Sequence, residues 1–268
     1  MTLPLLEYLC CPHDYAAPLR EESDALVCPM CERRFQILDD GLVSFLSTQQ
    51  MSEQDHKERT HRDQESSWYD AMFEGYTNAV EVPAGVRRIG RPFGPILDAG
   101  CGTGRITEAL LPLGQPVVAV DYSEACLRVM KDRTKTSAAP VLGVQSDLRS
   151  LPLPPGVMAA TTCIEVYAQM RDADRALFLT ELERVMRPGA VLSMSAYNYN
   201  VVFRAWALKG NPGAREGEHM LGGDYYYVRM TREQFRRELE AHFDVEELTG
   251  IRNIPARSLA QGLRRVGL

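Results

Sequence analysis

Near the N-terminus, cysteine and aspartate residues occur at a spacing that is typical of zinc sites. Cys11 and Asp14 enclose two residues in "CPHD", and Cys28 and Cys31 enclose two residues in "CPMC". Two such turns usually supply four thiolates, and here Asp14 stands where the second thiolate is expected. Because zinc also accepts carboxylate oxygen, three thiolates and Asp14 form a suitable tetrahedral set. We therefore predict a metal site made of these four residues.

The sequence leaves the fourth ligand of this site open. Cys10 and His13 are alternatives to Asp14, although neither keeps the two-residue spacing. Metal retention is favoured, because a segment of about 45 residues has too little apolar core to hold its own fold. Four protein ligands leave no coordination position for chemistry, so the zinc would be structural. The alternative is a segment that packs on the rest of the chain without metal.

A second chemical signature is the glycine-rich stretch "LDAGCGTGR", which follows a buried strand-like run. Gly100, Gly102 and Gly104 would let the backbone turn tightly after Asp98 and present N–H groups to a ligand near a helix N-terminus. A dinucleotide loop would need glycine at position 105, which is arginine, and a P-loop would need Gly-Lys-Ser/Thr. The neighbouring residues must therefore decide which cofactor the loop binds.

Strands and helices alternate in the surrounding sequence. The runs "PILDAG", "VVAVD", "VLGVQ", "MAATTCIEV" and "AVLSMSAY" predict strands, and amphipathic segments between them predict helices. This alternation predicts an α/β fold with a parallel, doubly wound sheet. Thr231 and Gln234 have capping-box spacing at the start of a late helix, and "FDVEELTGI" after it is predicted as a late strand.

With these elements in place, residues 65–251 resemble the class I S-adenosylmethionine-dependent methyltransferases. Their first motif, (D/E)-x-G-x-G-x-G, matches residues 98–104, and "LERVMRPGAVL" matches their helix–RPG–strand signature. The resemblance implies a mostly parallel, seven-stranded Rossmann-like sheet and S-adenosylmethionine as the cofactor. It implies cofactor contacts by Tyr69, Asp98, Gly100, Cys101, Gly102, Asp121, Tyr122, Asp147, Leu148 and Ile164.

Acidic residues at strand ends carry the most specific part of this resemblance. Asp121 stands where the family places a carboxylate on the ribose hydroxyls, and a carboxylate can accept hydrogen bonds from both. Asp147 matches the acidic contact to the adenine amino group, with Leu148 as the adjacent backbone donor. Tyr69 lies in "WYD", where many relatives have a helix that closes over the cofactor. The alternative for this helix is that its aromatic side only packs on the core.

Candidate catalytic residues are harder to find. Methyl transfer depends largely on positioning, but a hydroxyl or ammonium acceptor also needs a proton acceptor. Small-molecule relatives often place a histidine after the fourth strand, whereas "IEVYAQM" here contains none and has Tyr167 in that region. His219 is the other candidate, and its alternative is a surface or packed residue. We name Tyr167 and His219 as candidate catalytic residues.

Three segments are predicted along the chain. Residues 1–46 resemble the zinc-ribbon family that includes the activator subunit of tRNA and release-factor methyltransferases. Residues 47–66 are predicted as a polar linker or exposed helix, and residues 67–268 as the methyltransferase domain. Within this domain, residues 197–230 are rich in aromatic side chains and are predicted as a cap that suits a planar or apolar substrate. The ribbon pattern matches Cys11, Pro12, Cys28, Cys31, Phe35, Ile37, Asp40, Gly41 and Leu42, with Asp14 replacing its second cysteine.

Composition narrows the function classes. The net charge of -6 argues against an autonomous nucleic-acid-binding protein. No apolar run approaches the roughly 18–20 residues of a membrane span, and the N-terminus lacks a basic signal-peptide region, so we expect a cytoplasmic protein. The leading hypothesis is a methyltransferase for an oxygen or nitrogen atom of a small molecule, such as a secondary metabolite. The alternatives are an RNA or protein methyltransferase and a cofactor-binding scaffold without turnover; the sequence does not indicate the oligomeric state.

Overall fold

The computed structural model describes residues 5–38, 40–46, 51–73, 76–210, 215–221 and 225–250. Parts of the predicted linker, cap and late strand therefore lie outside the described residues, as does the C-terminal end of the predicted methyltransferase domain, at positions 47–50, 211–214, 222–224 and 251–268. Within the described ranges, no helix is both long and apolar enough to cross a membrane.

The described strands form one large sheet and one hairpin. They are β1 (Arg20–Glu21), β2 (Ala25–Val27), β3 (Arg34–Ile37), β4 (Val43–Ser44), β5 (Ile96–Ala99), β6 (Val117–Asp121), β7 (Val141–Gln145), β8 (Met158–Cys163), β9 (Met186–Met194), β10 (Gly217–Leu221) and β11 (Tyr225–Arg229). The large sheet has the order β1-β2-β3-β4-β7-β6-β5-β8-β9, and β10 pairs with β11 separately. Strands β5, β6 and β8 are buried at every position, as expected for parallel strands covered on both faces.

Helices follow most strands of the parallel part. They are α1 (Glu53–Glu65), α2 (Tyr69–Phe73), α3 (Tyr76–Arg88), α4 (Arg105–Leu110), α5 (Glu124–Thr134), α6 (Asp172–Val185), α7 (Val201–Leu208) and α8 (Arg232–Glu240). Local capping explains where three of them begin, because Ser52, Ser123 and Thr231 each accept a hydrogen bond from a first-turn N–H group. The predicted capping box of Thr231 with Gln234 is confirmed. The predicted α/β class with a mostly parallel sheet is also confirmed.

The number of strands differs from the expected seven. Five parallel strands, β5 to β9, form the core of the sheet, and the four N-terminal strands extend it beyond β7. At the opposite edge, the described residues 244–250 of the predicted late strand have no regular secondary structure. The late-strand prediction is therefore wrong for these residues, which do not pair with β9.

The N-terminal segment joins the main sheet through its last strand. Strand β4 pairs with β7 in parallel, with Val43 opposite Val144, and the Phe45 N–H donates to the Gln145 carbonyl at 2.8 Å. Gly143 makes this approach possible, since a Cβ atom there would lie 2.4 Å from Leu42 Cδ2. One hydrophobic cluster consequently runs from Leu26 in β2 into the core of the parallel strands. The division of the chain at residue 46 stays a prediction.

Candidate functional site

A cleft of about 150 Å³ opens at the carboxyl ends of the parallel strands β5 to β8. This is the edge at which doubly wound sheets bind ligands. Eight of the ten residues predicted to contact a cofactor line it: Tyr69, Gly100, Gly102, Asp121, Tyr122, Asp147, Leu148 and Ile164. The sheet order therefore brings together residues that are far apart in the sequence.

Glycine residues after β5 shape one wall of this cleft. Gly100 has φ of 74°, and a Cβ atom there would lie 2.3 Å from Val166 Cγ2. Gly102 has φ of 50°, but its Cβ position has no neighbouring heavy atom within 4 Å. The first glycine thus permits close packing against the turn after β8, and the second leaves open space beside the backbone. A ligand can approach the main chain closely at Gly102.

Asp98 and Cys101 lie near the cleft but do not line it. Asp98 is 1% exposed, and its two carboxylate oxygens accept hydrogen bonds from Thr107 Oγ1 at 2.6 Å and Thr162 Oγ1 at 2.8 Å. Burial raises the pKa of this carboxyl to about 6. Cys101 packs beside Leu127 in a small apolar cluster. The structure therefore does not support direct cofactor contacts by either side chain, and Asp98 instead ties β5 to β8 and α4.

Asp121 is oriented at the end of β6 by two backbone groups. The N–H of Gly102 donates to Oδ2 at 2.8 Å, and the N–H of Ser123 donates to Oδ1 at 2.9 Å. Each carboxylate oxygen keeps a further lone pair, so the group can accept two more hydrogen bonds from the cleft. Burial raises the pKa of this carboxyl. The geometry is suited to a ligand with two neighbouring hydroxyl groups.

Arg149 forms an ionic network around Asp147 that sequence reasoning did not identify. Its Nε lies 2.9 Å from both oxygens of Asp147, its Nη1 donates to Asp174 at 2.9 Å, and its Nη2 donates to Asp55 at 3.1 Å. The Asp147 side chain raises the pKa of Arg149, so the guanidinium stays charged. This single side chain holds α1, α6 and the loop after β7 together. The sequence contained one indication of this ion pair, since the arginine stands two positions after Asp147.

Helix α1 covers the cleft, which corrects the prediction of a linker or exposed helix. Its residues Asp55, Glu58, Arg62 and Glu65 line the cavity. Asp63 accepts hydrogen bonds from Ser123 Oγ at 2.6 Å and from the Ala125 N–H at 3.3 Å, at the N-terminus of α5. A carboxylate is favoured there by the unpaired N–H groups and the helix dipole. The polar residues that suggested solvent exposure therefore face a polar cleft and a helix end.

Burial of Glu58 in α1 raises the pKa of its carboxyl group. Glu58 lies in the cleft, and its removal from water raises the pKa of its carboxyl to about 7. The guanidinium of Arg62 opposes this effect but does not cancel it. Glu58 therefore changes its charge close to neutral pH.

The turn after β8 separates the cleft from a second cavity. Glu165 in this turn has φ of 63°, a backbone conformation that non-glycine residues rarely adopt. Its N–H donates to Ser195 Oγ at 2.8 Å, and its carbonyl accepts from Gln169 Nε2 at 2.6 Å. Arg62 of α1 donates to Gln169 Oε1 at 2.6 Å, so the covering helix is connected to the same turn. Glu165 was not among the predicted site residues.

The structure does not bring the two predicted catalytic residues into the cleft. Tyr167 is 0% exposed, and its hydroxyl donates to Glu238 Oε2 at 2.5 Å. The short helical turn after β8 directs the ring into the core, so the geometry lends no support to the predicted catalytic role of Tyr167. His219 lies on the β10–β11 hairpin, stacked on Tyr227 at 4.9 Å, and it lines neither described cavity. The catalytic role of His219 consequently has no support.

Aromatic residues of the predicted cap line the second cavity in part. This groove of about 1330 Å³ runs along β9 and α8 and includes Tyr197 and Phe203. In strand β11, Tyr226 is 4% exposed, and its hydroxyl donates to Glu218 at 2.9 Å. Some residues of the predicted cap are thus buried in the β10–β11 hairpin, and others line the groove.

The four predicted metal ligands converge at the N-terminal turns. Their ligand atoms all lie within 4.8 Å of one another. Cys11 Sγ lies 3.6 Å from Cys31 Sγ, and Cys28 Sγ lies 3.4 Å from an oxygen of Asp14. A tetrahedral zinc with normal bond lengths would separate its ligand atoms by about 3.5–3.8 Å. The donor set therefore fits zinc.

Backbone geometry around the cluster agrees with this fit. The N–H groups of Met30 and Cys31 both point to Cys28 Sγ at 3.4 Å, which would stabilise a thiolate. Cys10, one of the alternative ligands, is buried outside the cluster, and its N–H donates to the Pro152 carbonyl at 2.9 Å. The other alternative, His13, is also outside the group of converging ligand atoms. The geometry favours Asp14.

Comparison with known proteins agrees with this architecture. A family model described as a methyltransferase domain matches residues 96–189. A ubiquinone biosynthesis O-methyltransferase of Thiobacillus denitrificans is 30% identical over 166 residues, which cover 58% of this chain and 67% of the relative. One with the same name from Xanthomonas campestris is 28% identical over 134 residues, covering 50% of this chain and 55% of the relative. The chain thus spans about half the length of the Xanthomonas relative.

A solved structure with the same fold is the 1,6-didemethyltoxoflavin-N1-methyltransferase of Burkholderia thailandensis, which carries its substrate and S-adenosylhomocysteine. It superposes with a TM-score of 0.56 at 17% identity, covering 79% of this chain and 84% of the other. At this identity the similarity concerns the fold alone.

Proposed function

Because the chain belongs to the class I S-adenosylmethionine-dependent methyltransferases, we propose that it transfers a methyl group to an oxygen or nitrogen atom of a small molecule. The observation that carries this proposal is the cleft at the carboxyl ends of β5 to β8, where Gly102 leaves open space and Asp121 is oriented. The relatives named as O-methyltransferases favour an oxygen acceptor.

The residues of the cleft fit S-adenosylmethionine. Asp121 would accept hydrogen bonds from the ribose hydroxyls, and the loop with Gly102 would lie along the methionine part. Asp147 and the Leu148 N–H would contact the adenine, with Tyr122 and Ile164 as apolar neighbours. When bound, the cofactor supplies an electrophilic methyl group on a positively charged sulfur. The chain's part is to orient this group, to exclude water with α1 and to position the acceptor.

Titration with S-adenosylhomocysteine tests the cofactor site. We expect the wild-type chain to bind it, and Asp121→Ala and the size-conserving Asp121→Asn to weaken binding by about 10- to 100-fold, since hydrogen bonds to a charged group are lost. Asp132→Ala, on the exposed face of α5, is the matched control and should leave binding unchanged. Failure of the folded wild-type chain to bind S-adenosylhomocysteine would refute the proposal.

Methyl transfer to small molecules, measured beside total RNA and total protein, tests the acceptor class. The proposal predicts labelled small-molecule product. Transfer to RNA or protein alone would contradict it, and cofactor binding without transfer to any acceptor would identify a scaffold.

We also propose that the N-terminal segment is a zinc ribbon whose role is structural. The four converging donors Cys11, Asp14, Cys28 and Cys31 support this assignment. Zinc held by four protein ligands has no open position for chemistry, so it would stabilise the turns only. Metal analysis of the purified chain should find close to one zinc per chain.

The proposed ribbon would also support the loop after β7. The Cys10 N–H donates to the Pro152 carbonyl at 2.9 Å, and the guanidinium of Arg184 lies 4.1 Å from the centre of the Tyr15 ring. Arg184 in turn donates to the carbonyls of Leu151 at 2.9 Å and Leu153 at 2.6 Å. Through these contacts, the ribbon would hold the segment that follows Asp147 and Leu148.

A further inference from the structure

The cleft and the groove meet at a single turn. Among the described residues, Ile164 and Glu165 are the two that line both cavities. The turn follows β8, which lies between β5 and β9 in the sheet. A side chain at this point can reach a molecule in the groove and a cofactor in the cleft at the same time.

The backbone of Glu165 is held at this junction by two hydrogen bonds. Its φ of 63° is unfavourable for a residue with a side chain, and such conformations persist only where the surroundings enforce them. Ser195 at the end of β9 fixes its N–H, and Gln169 fixes its carbonyl. These two contacts fix the backbone of Glu165 at the point where the residue lines both cavities.

The groove beyond Glu165 offers aromatic surface. Tyr197, Phe203 and Phe235 are among its lining residues. Arg229 lies with its guanidinium 4.1 Å from the centre of the Phe203 ring, which fixes that ring in the wall. Aromatic walls bind flat apolar molecules well, because ring stacking and apolar burial favour them. An aromatic molecule with a hydroxyl group directed at Glu165 matches this arrangement.

We propose that Glu165 is the proton acceptor for the hydroxyl group of an aromatic acceptor bound in the groove. This inference rests on the methyltransferase function proposed above and names its base and its substrate class. The hydroxyl proton moves to a carboxylate oxygen of Glu165. The electron pair that it leaves on the acceptor oxygen forms the new bond to the methyl carbon, and the pair of the broken carbon–sulfur bond stays on sulfur. The product is an aryl methyl ether.

Two phenols of different acidity test this assignment with S-adenosylhomocysteine bound. 4-Nitrophenol changes its visible absorbance on ionisation, so its apparent pKa can be measured in the complex without turnover. A carboxylate beside the hydroxyl disfavours the phenolate, so Glu165→Gln should lower the apparent pKa of bound 4-nitrophenol. Glu233→Gln, which removes an exposed carboxylate of α8 that lines neither cavity, is the control and should not change it.

Turnover of the same phenols with S-adenosylmethionine gives a second readout. With 4-methylphenol, which stays protonated in neutral solution, Glu165→Gln should lower kcat by about 10²- to 10⁴-fold. With 4-nitrophenol in alkaline buffer, where it is already ionised, the loss should be less than about tenfold. An equal loss on both phenols, or an unchanged pKa of bound 4-nitrophenol, would overturn the proposal.

Cofactor binding separates failure of this inference from failure of the proposed function. Glu165→Gln and wild type should bind S-adenosylhomocysteine equally well. A wild-type chain that does not bind it refutes the methyltransferase function itself. A wild-type chain that binds it but neither binds nor methylates either phenol refutes the acceptor class assigned here.

Discussion

The thiolate cluster and the cofactor cleft are stabilised in different ways. Strands β1 to β4 around the cluster are two to four residues long, whereas β5 to β9 are four to nine residues long and mostly buried. The cluster lies within residues 11–31, and the cleft is lined by residues between 46 and 174. Short strands bury too little apolar surface to hold a fold, so metal bonds would replace the core there. The cleft is instead stabilised by the buried parallel strands of the sheet.

Removal of one thiolate tests this difference most strongly. Cys28→Ser should release zinc and unfold the N-terminal turns, because structural zinc contributes about 10–16 kcal/mol in isolated zinc-binding peptides. Metal content and urea unfolding measure the effect. Cys10→Ser is the matched control and should retain zinc, since Cys10 lies outside the cluster. A metal-free wild-type chain with the same urea midpoint would show that the segment is held by packing alone.

A methyl group added to the glycine loop should affect the cleft and leave the cluster intact. In Gly100→Ala, the new Cβ would clash with Val166 at a φ of 74°, which should cost about 2–4 kcal/mol of stability and weaken S-adenosylhomocysteine binding at least tenfold. Gly156→Ala has a similar φ of 65° but no heavy atom within 4 Å, so it isolates the backbone cost of about 1 kcal/mol. Equal losses of stability and of S-adenosylhomocysteine binding in both variants would show that the close packing at Gly100 is unimportant. The zinc content should not change in either variant.

The pH dependence of stability should arise partly from the cleft. Burial raises the pKa of Glu58 to about 7 from its ordinary value of 4.5. The contribution of this group to folding stability is therefore fully present below pH 4.5 and is lost as the pH rises through 7. Glu58→Gln should therefore gain stability relative to wild type between pH 5 and pH 8, by about 2 kcal/mol. Urea unfolding at several pH values measures this difference. A constant difference across that range would contradict the buried position of Glu58.

The smallest effect is expected at the contact between α1 and the loop after β7. Asp55→Ala removes one of the three carboxylates around Arg149 and the capping-box acceptor of the Ser52 N–H. It should destabilise α1 by about 1 kcal/mol, because two carboxylates remain around Arg149. Hydrogen exchange of the α1 amides measures this local change. Glu53→Ala, in the same helical turn but paired on the exposed side with Lys57, is the control. Equal protection in both variants would show that Arg149 does not hold the helix.

Features with a local physical cause could be predicted from the sequence. The metal ligands lie in pairs separated by two residues, the glycines occupy positive φ angles, and the capping box of Thr231 closes over a single turn. Parallel strands at regular spacing also predicted which residues meet at the cleft edge. In each of these cases the relevant residues are neighbours in the chain or occupy ends of successive strands.

Features that depend on packing between distant segments could not be predicted. The polar composition of α1 suggested solvent exposure, because the sequence does not show that a cleft and the N-terminus of α5 face it. Tyr167 was placed in the site by its position after β8, but a short helical turn directs it into the core. The role proposed for Glu165 depends on a second cavity formed with β9 and α8. The role of Arg149 in joining segments depends on three carboxylates that lie far apart in the sequence or on different elements.

The pairing of β4 with β7 has a consequence for solubility. Without the N-terminal strands, β7 would become an edge strand with a row of unpaired N–H and carbonyl groups and a notch at Gly143 where Leu42 now packs. Exposed apolar edges of this kind pair with other chains and promote aggregation. The N-terminal segment therefore also shields the sheet from association with other molecules. A fragment of this chain prepared for crystallisation or engineering should therefore keep the N-terminal strands β1 to β4, that is, the residues before and including Leu46.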